Sequence, residues 1–305
     1  MSDAREDCII VGGGPAGLTA AIYLGRYHLS VRLFDAGNSR AAWIPTSHNH
    51  AGYPNGVNGR ELLQLMREQA GRYGVLREER EVTGLRRDGD GFLVATRDHT
   101  YPARTVLLAT GVVNRQPAMD KTVHDRAMAA GLLRYCPICD GYEVTDKRVG
   151  VLGTSEHGAR EALFLRSYTR DLTLISPTAE HDLPPALAAK LDEAGIARVD
   201  GPCGGYAIED GQFAVDTAHG RLRFDSVYPA LGTDVNSELA AQIDTKLAGP
   251  GCILVDDHQR TSIAGLYAAG DVTQGLDQIS HAMGEAGVAA TAIRNDLAQH
   301  KQLWR

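Results

Sequence analysis

The stretch DCIIVGGGPAGLTAAIYLGRYHLSVRLFDAG, residues 7–37, leaves little freedom for the fold. A short apolar run from Cys8 to Val11 stops at Gly12. A helical segment follows with Leu18, Ile22 and Tyr23 on one face, and a second apolar strand ends at Asp35. Strand, glycine turn, helix and strand in that order predict a βαβ unit on a parallel sheet. GGGPAG fits G-x-G-x-x-G with Gly12, Gly14 and Gly17, and Pro15 and Ala16 stand between the last two. The three glycines serve a tight turn, close backbone approach to a pyrophosphate, and close helix–strand packing. Free N–H groups at the helix start suit that pyrophosphate. Asp35, followed by Ala36, ends the next strand, where a carboxylate can accept ribose hydroxyls.

The same order restarts at Arg148 with RVGVLGTSEHGAREALFLRSYTRDLTLIS. Between the two, RELLQLMREQAGRY spaces Leu62, Leu63, Met66 and Ala70 as a helix, and EVTGL, GFLVATR and RTVLLATG read as strands. A helix from Pro185, short strands at 206–231 and a helix from about Asp277 to Gln299 complete the pattern. The expected fold is α/β: two Rossmann-like, three-layer nucleotide-binding domains, the second inserted in the first. The expected boundaries are 1–115, 116–243 and 244–305, because LYAAGD and the final helix have no sheet of their own.

The 305 residues are 43% hydrophobic and 23% charged, with net charge −7 and no dense Lys/Arg patch, which argues against a nucleic-acid partner. No apolar run approaches the roughly 18 residues of a membrane span. The acidic start MSDARED is not expected to be a signal peptide, so a cytoplasmic, reducing location is expected. In that setting the segment LRYCPICDGYEV stands out. C-x-x-C serves zinc, redox chemistry or plain packing. Zinc needs further soft ligands at comparable spacing, but Cys8, Cys203 and Cys252 are isolated, so no metal is expected. Redox use is favoured by the chemistry of the turn. A helix start depresses one thiol pKa and brings the second sulfur into reach, and Pro137 suits a first helical turn. Asp140 can move the proton as thiolate becomes thiol, or simply answer the helix N-terminus.

Several segments in sequence resemble the thioredoxin reductase family of two-domain flavoprotein disulfide reductases. They are GGGPAGLTAA, SHNHAGYPNGVNGRELL, LLATG at 107–111, CPICDG, YAAGDV at 267–272 and DQISHAMGEAGVAATAI. The resemblance covers nearly the whole chain and implies FAD as cofactor. It implies a flavin site from Gly12, Gly14, Pro15, Ala16, Gly17, Asp35, Ala36, Asn49, Val82, Ala109, Thr110, Gly111, Gly270, Asp271, Gln278 and Ile279. Asp271 would hold the ribitol, and the first amides of the last helix would face the flavin pyrimidine. It also implies a working disulfide, with Cys139 nearer the flavin and Cys136 presented to substrate. A homodimer and a thioredoxin-like partner are implied as well.

The second glycine turn departs from the family. GTSEHG, 153–158, keeps Gly153 and Gly158 but has Ser155 at the middle glycine and Glu156 where a phosphate would sit. Ser176, Pro177 and Thr178 replace the family's paired arginines. NADPH is therefore not expected as donor. One reading is a reductase of thioredoxin-like proteins fed by ferredoxin or another non-pyridine donor. The second is an FAD-dependent dithiol oxidase closing disulfides in a small dithiol, with oxygen as acceptor. A third, of another class, is a non-catalytic flavin redox sensor. The oxidases resemble this chain in GYE, 141–143, yet commonly carry histidine after the second cysteine. Asp140 favours the reductase. The tail AQHKQLWR is expected to fray, with Trp304 stacked over an open flavin face as the alternative.

Overall fold

The computed structural model describes residues 5–154 and 156–303, so the expectations on Ser155 and Trp304 fall outside the described residues. The chain forms two compact units. One gathers the described residues up to Thr46, His50–Val113 and those from Asp234 onward; the other gathers Ser47–Asn49 and Asn114–Thr233.

In the first unit, Glu6–Val11 lies centrally in a 7-stranded sheet, parallel to Val31–Phe34 on one side and to Thr100–Leu108 on the other. Register is fixed by Ile10, which stands opposite Leu33 and Leu107. Side chains alternate across the strand, so Cys8 and Ile10 enter one core while Ile9 and Val11 enter another. Burial on both faces explains why CIIV and VLL read as unbroken apolar runs. The first core is closed by the helices Pro15–Arg26, Gly59–Gly71 and Ile279–Leu297, through Leu18, Leu62, Leu63, Met66, Ala286 and Ile293. Tyr23 departs from the expected apolar face: it is 43% exposed and meets Tyr27 edge-on. The far edge of Thr100–Leu108 is shared. Its first half pairs antiparallel with Gly91–Thr96 and its second half parallel with Leu266–Ala268. Residues 234–243 belong to this unit, with Leu239 and Ala240 in its second core and the Gln242 carboxamide oxygen accepting from the Leu85 amide.

The second unit has a parallel sheet in the order Ala197–Val199, Leu172–Ile175, Val149–Leu152, Ser226–Pro229. One face packs on the helices Glu156–Leu165 and Pro185–Glu193 through Ala159, Ala162, Leu165 and Leu191. The other packs on an antiparallel meander, Cys203–Glu209, Gln212–Thr217 and Gly220–Phe224, through Phe213, Val215 and Phe224. No described helix is long and apolar enough to cross a membrane.

Close packing at the first glycine turn yields a stability prediction. A methyl group on Gly17 would sit 1.9 Å from the Gly12 carbonyl oxygen, whereas one on Gly71 would meet nothing within 4 Å. Gly17→Ala is expected to destabilise the protein by about 3 kcal/mol, at the upper end for overpacking. Gly71→Ala, in the last turn of its helix, is expected to be neutral or stabilising by up to about 1 kcal/mol. Urea unfolding midpoints of the two variants check both.

Candidate functional site

The glycine turn separates into packing and open positions. Gly12 adopts φ +116°, and a methyl group there would lie 2.1 Å from the Ala109 carbonyl oxygen. Gly13, which the motif leaves unspecified, admits no β-carbon either, because the Asp35 carboxyl carbon would be 2.1 Å away. Gly14 differs: its methyl would meet only Ser39 Oγ, at 3.3 Å. Gly14 is also the N-cap of helix Pro15–Arg26, which has no side-chain cap and no acid in its first turn. The neighbouring helix Gly59–Gly71 is capped by Asn58. An uncapped helix start beneath an open glycine fits the pyrophosphate of a dinucleotide.

Asp35 is buried beside this turn, with Ala36 exposed after it. Its Oδ1 accepts from the Gly37 amide at 2.9 Å, and Oδ2 from Arg67 at 3.1 Å and Arg77 at 3.4 Å. A carboxylate has about four lone-pair sites, so only part of its capacity is left for a ribose. The Arg67 Nε is buried without a hydrogen-bond partner, a donor that an incoming polar ligand would satisfy. Neither arginine was legible as a site residue.

The remaining expected flavin residues fall into several places. Ala109 is buried at the glycine turn, and Thr110 exchanges hydrogen bonds with Asn236, Oγ1 to O at 2.6 Å and Nδ2 to O at 2.9 Å. Gly111 has φ +66°. Val82 is buried at the start of its strand, opposite Thr96. Gly270 has φ +80°, and a methyl group there would stand 2.9 Å from the Ala16 side chain, so the 266–270 segment is packed against the first helix. The Asp271 carboxylate accepts from Arg40 Nη1 at 3.0 Å, and the same nitrogen donates to Asp277 at 3.0 Å. Burial, first, and then Asp277 push the Asp271 carboxyl up, while the Arg40 charge pulls it down. Gln278 is the N-cap of Ile279–Leu297, and this helix too lacks a side-chain cap. Asn49 alone groups with the second unit, where its amide reaches the Ile138 carbonyl oxygen at 3.4 Å.

The second unit carries the cysteines. Cys136 and Cys139 form a disulfide with Cα atoms 5.2 Å apart, across the one-turn helix Pro137–Asp140. Cys136 is its N-cap, and its Sγ accepts from the Cys139 amide at 3.1 Å. Asp140 ends this turn and opens the next, Gly141–Val144, as its N-cap, without a side-chain cap hydrogen bond. Its Oδ2 accepts from Arg134 Nη1 at 2.9 Å and its Oδ1 from the Tyr228 hydroxyl at 2.9 Å. Burial raises the Asp140 carboxyl above its ordinary value, against the Arg134 charge and the hydrogen bonds from Arg134 and Tyr228. Burial and the Asp140 charge push the Tyr228 phenol up as well, which keeps it a donor. Sequence reasoning found Asp140 but neither of its partners.

At the second glycine turn, Gly153 and Gly158 are pressed together: a methyl group on either would lie 2.9 Å from the other's Cα. Glu156 opens the helix and accepts from Arg160 at 2.7 Å. Ser176 is buried, and its Oγ accepts from the Ala179 amide at 3.2 Å, closing the loop on itself. Among the described residues, no group of three or more His, Cys, Asp or Glu is placed to hold a metal ion.

Comparison with known proteins agrees with this geometry. The model of the family described as pyridine nucleotide-disulphide oxidoreductase matches residues 6–286. A thioredoxin reductase from Mycolicibacterium smegmatis is 30% identical over 285 residues, 89% of each chain. One from Borreliella burgdorferi is 28% identical over 310 residues, covering 97% of this chain and 93% of the relative. The crystal structure of a thioredoxin reductase from Streptococcus pyogenes matches with TM-score 0.89 and 26% identity, covering 98% of this chain and 100% of that one. The structure of HlmI matches with TM-score 0.88 and 26% identity, covering 98% and 94%. Similarity along nearly the full length of both chains, in sequence and in fold, leads to one assignment: the chain belongs to the pyridine nucleotide-disulphide oxidoreductase family, as an FAD-binding, thioredoxin reductase-like disulfide oxidoreductase.

Proposed function

We propose that this enzyme moves electron pairs between FAD and the Cys136–Cys139 pair and on to a thioredoxin-like protein, with a ferredoxin-type or other non-pyridine donor in place of NADPH. The observation that carries the reading is the cysteine pair closed beside an acid, Asp140, which Arg134 and Tyr228 hold in place. FAD, when bound, supplies the electron pair that opens the disulfide to two thiols. Cys136, as thiolate, attacks the partner's disulfide; one partner sulfur leaves and a mixed disulfide forms. Cys139 then attacks Cys136 Sγ, the second partner sulfur leaves, and the internal disulfide returns. The partner gains two electrons and two protons. Asp140, whose carboxyl burial raises above its ordinary value, delivers a proton to a departing thiolate and recovers it as the next thiol ionises.

Against NADPH stand Ser155 and Glu156 at the second glycine turn and the self-closed loop at Ser176, with Pro177 and Thr178 after it. Each removes a feature that phosphate recognition uses: close backbone approach, an unanswered helix N-terminus, or a cation.

Three outcomes follow. Cys136→Ser and Cys139→Ser are each expected to abolish disulfide exchange while keeping FAD bound. Only Cys136→Ser should show a long-wavelength absorption from the remaining thiolate against the flavin; the reverse pattern swaps the two roles. For Asp140, the raised pKa means the acid form persists above the ordinary carboxylate range and is lost as pH rises through it. The exchange rate should therefore carry a descending limb there. Asp140→Asn should remove the limb and slow exchange by about 100-fold. Tyr228→Phe deletes a bond that lowers this pKa, so the limb should move to higher pH. Finally, anaerobic titration with NADPH, NADH, reduced ferredoxin and dithiothreitol is expected to bleach the flavin with the last two only. Fast bleaching by a nucleotide would overturn the donor assignment. Turnover of a small dithiol with oxygen, but not of a thioredoxin-like disulfide, would make the enzyme a dithiol oxidase. FAD binding with no exchange at all would leave the sensor reading.

A further inference from the structure

We propose that Arg40 is the positioning residue that lets an acidic flank of the first unit accept an anionic dinucleotide. This rests on the reading that Gly14 and Asp271 line the flavin site. Three carboxylates, Asp271, Asp277 and Glu285, collect around the end of the strand Leu266–Ala268 and the start of the last helix. Glu285 is committed: its Oε2 accepts from the Gly270 amide at 2.7 Å, and its Oε1 lies 3.1 Å from His281 Nε2. The other two share one guanidinium nitrogen, Arg40 Nη1, at 3.0 Å each. Arg40, Asp271 and Asp277 are partly withdrawn from solvent, at 24%, 20% and 39% side-chain exposure, where charges are screened less than on an open surface.

The position of Arg40 ties this cluster to the glycine turn. Its chain neighbour Ser39 is the nearest group to the open side of Gly14, with Oγ 3.3 Å from where a β-carbon would stand. The pyrophosphate of a dinucleotide above Gly14 would bring two more negative charges to this neighbourhood. Without Arg40, Asp271 and Asp277 would repel each other and the ligand, and burial and Asp277 would push the Asp271 carboxyl up unopposed by that charge, weakening it as an acceptor for a ribitol hydroxyl. With Arg40, one cation fixes the Asp271 rotamer, pulls its carboxyl down against burial and offsets Asp277. The last helix is preceded by an acid, Asp277, whose charge Arg40 answers at hydrogen-bond distance.

The test uses the full-length protein, stripped of flavin and titrated with FAD by flavin fluorescence, with the flavin midpoint potential measured on reloaded protein. Arg40→Met is expected to weaken FAD binding about 10- to 100-fold, the range for unpairing a partly buried charge at a binding site. Arg40→Lys should recover most of that loss, since an ammonium can also reach both carboxylates. Adding Asp277→Asn to Arg40→Met should recover most of it too and shift the midpoint potential, because the unpaired carboxylate is gone. Binding within twofold of the parent in Arg40→Met, or a loss that neither Lys nor Asp277→Asn repairs, would overturn the proposal. Gly14→Ala separates the two levels: unchanged binding there would refute the flavin-site reading itself, whereas weakened binding there with normal Arg40→Met refutes Arg40 alone.

Discussion

The first unit is organised by backbones that approach more closely than any side chain permits. Gly17 lies against the Gly12 carbonyl, Gly12 against that of Ala109, and Gly270 against Ala16. Three chain segments far apart in sequence thus meet at the start of one helix. Ala282, from the last helix, is the next atom group beyond Gly270. Small residues here keep the helix start, the 266–270 segment and the last helix in close contact, and a methyl group at most of these points would force them apart. Gly14 is the exception that leaves room.

The sheets and helices of the first unit were legible because burial on both faces of a parallel sheet writes itself as continuous apolar runs, and because glycine spacing marks the turns. The disulfide was legible for a similar reason: Cys136 and Cys139 stand three residues apart, so their pairing needs no distant information. The partners of Asp140 and Asp271 were not. Tyr228 reaches Asp140 across 88 residues of sequence, and Arg40 reaches Asp271 across 231. A lone arginine or tyrosine carries no periodic signal before the fold brings it to its partner. Tyr23 was assigned to the apolar face because its ring is large and apolar, but an amphipathic ring with a hydroxyl tolerates the surface. Residues 234–243 scatter Val235, Leu239, Ala240, Ala241 and Ile243 among polar neighbours, and that pattern does not say which of two cores they enter.

Buried carboxylates in both units are answered by arginines: Asp35 by Arg67 and Arg77, Asp271 by Arg40, and Asp140 by Arg134. At Asp271 and Asp140 alike, burial raises the carboxyl and a single arginine opposes it. What differs is the second partner. Asp277 shares the Arg40 nitrogen and pushes Asp271 further up, whereas the Tyr228 hydroxyl donates to Asp140 and pulls it down.

The strand Thr100–Leu108 shares its outer edge between Gly91–Thr96 and Leu266–Ala268. Half of that edge is therefore filled by residues that leave the ribosome after the whole of the second unit's main segment, Asn114–Thr233. During synthesis the first unit must wait with an open sheet edge and an uncovered helix-packing face, while the second is already complete in the emerged chain. Vectorial translation thus gives the inserted unit priority in folding and leaves the interrupted one exposed to edge pairing until its final helix arrives. A nascent-chain binding factor acting on this protein would find its work on the half that was made first.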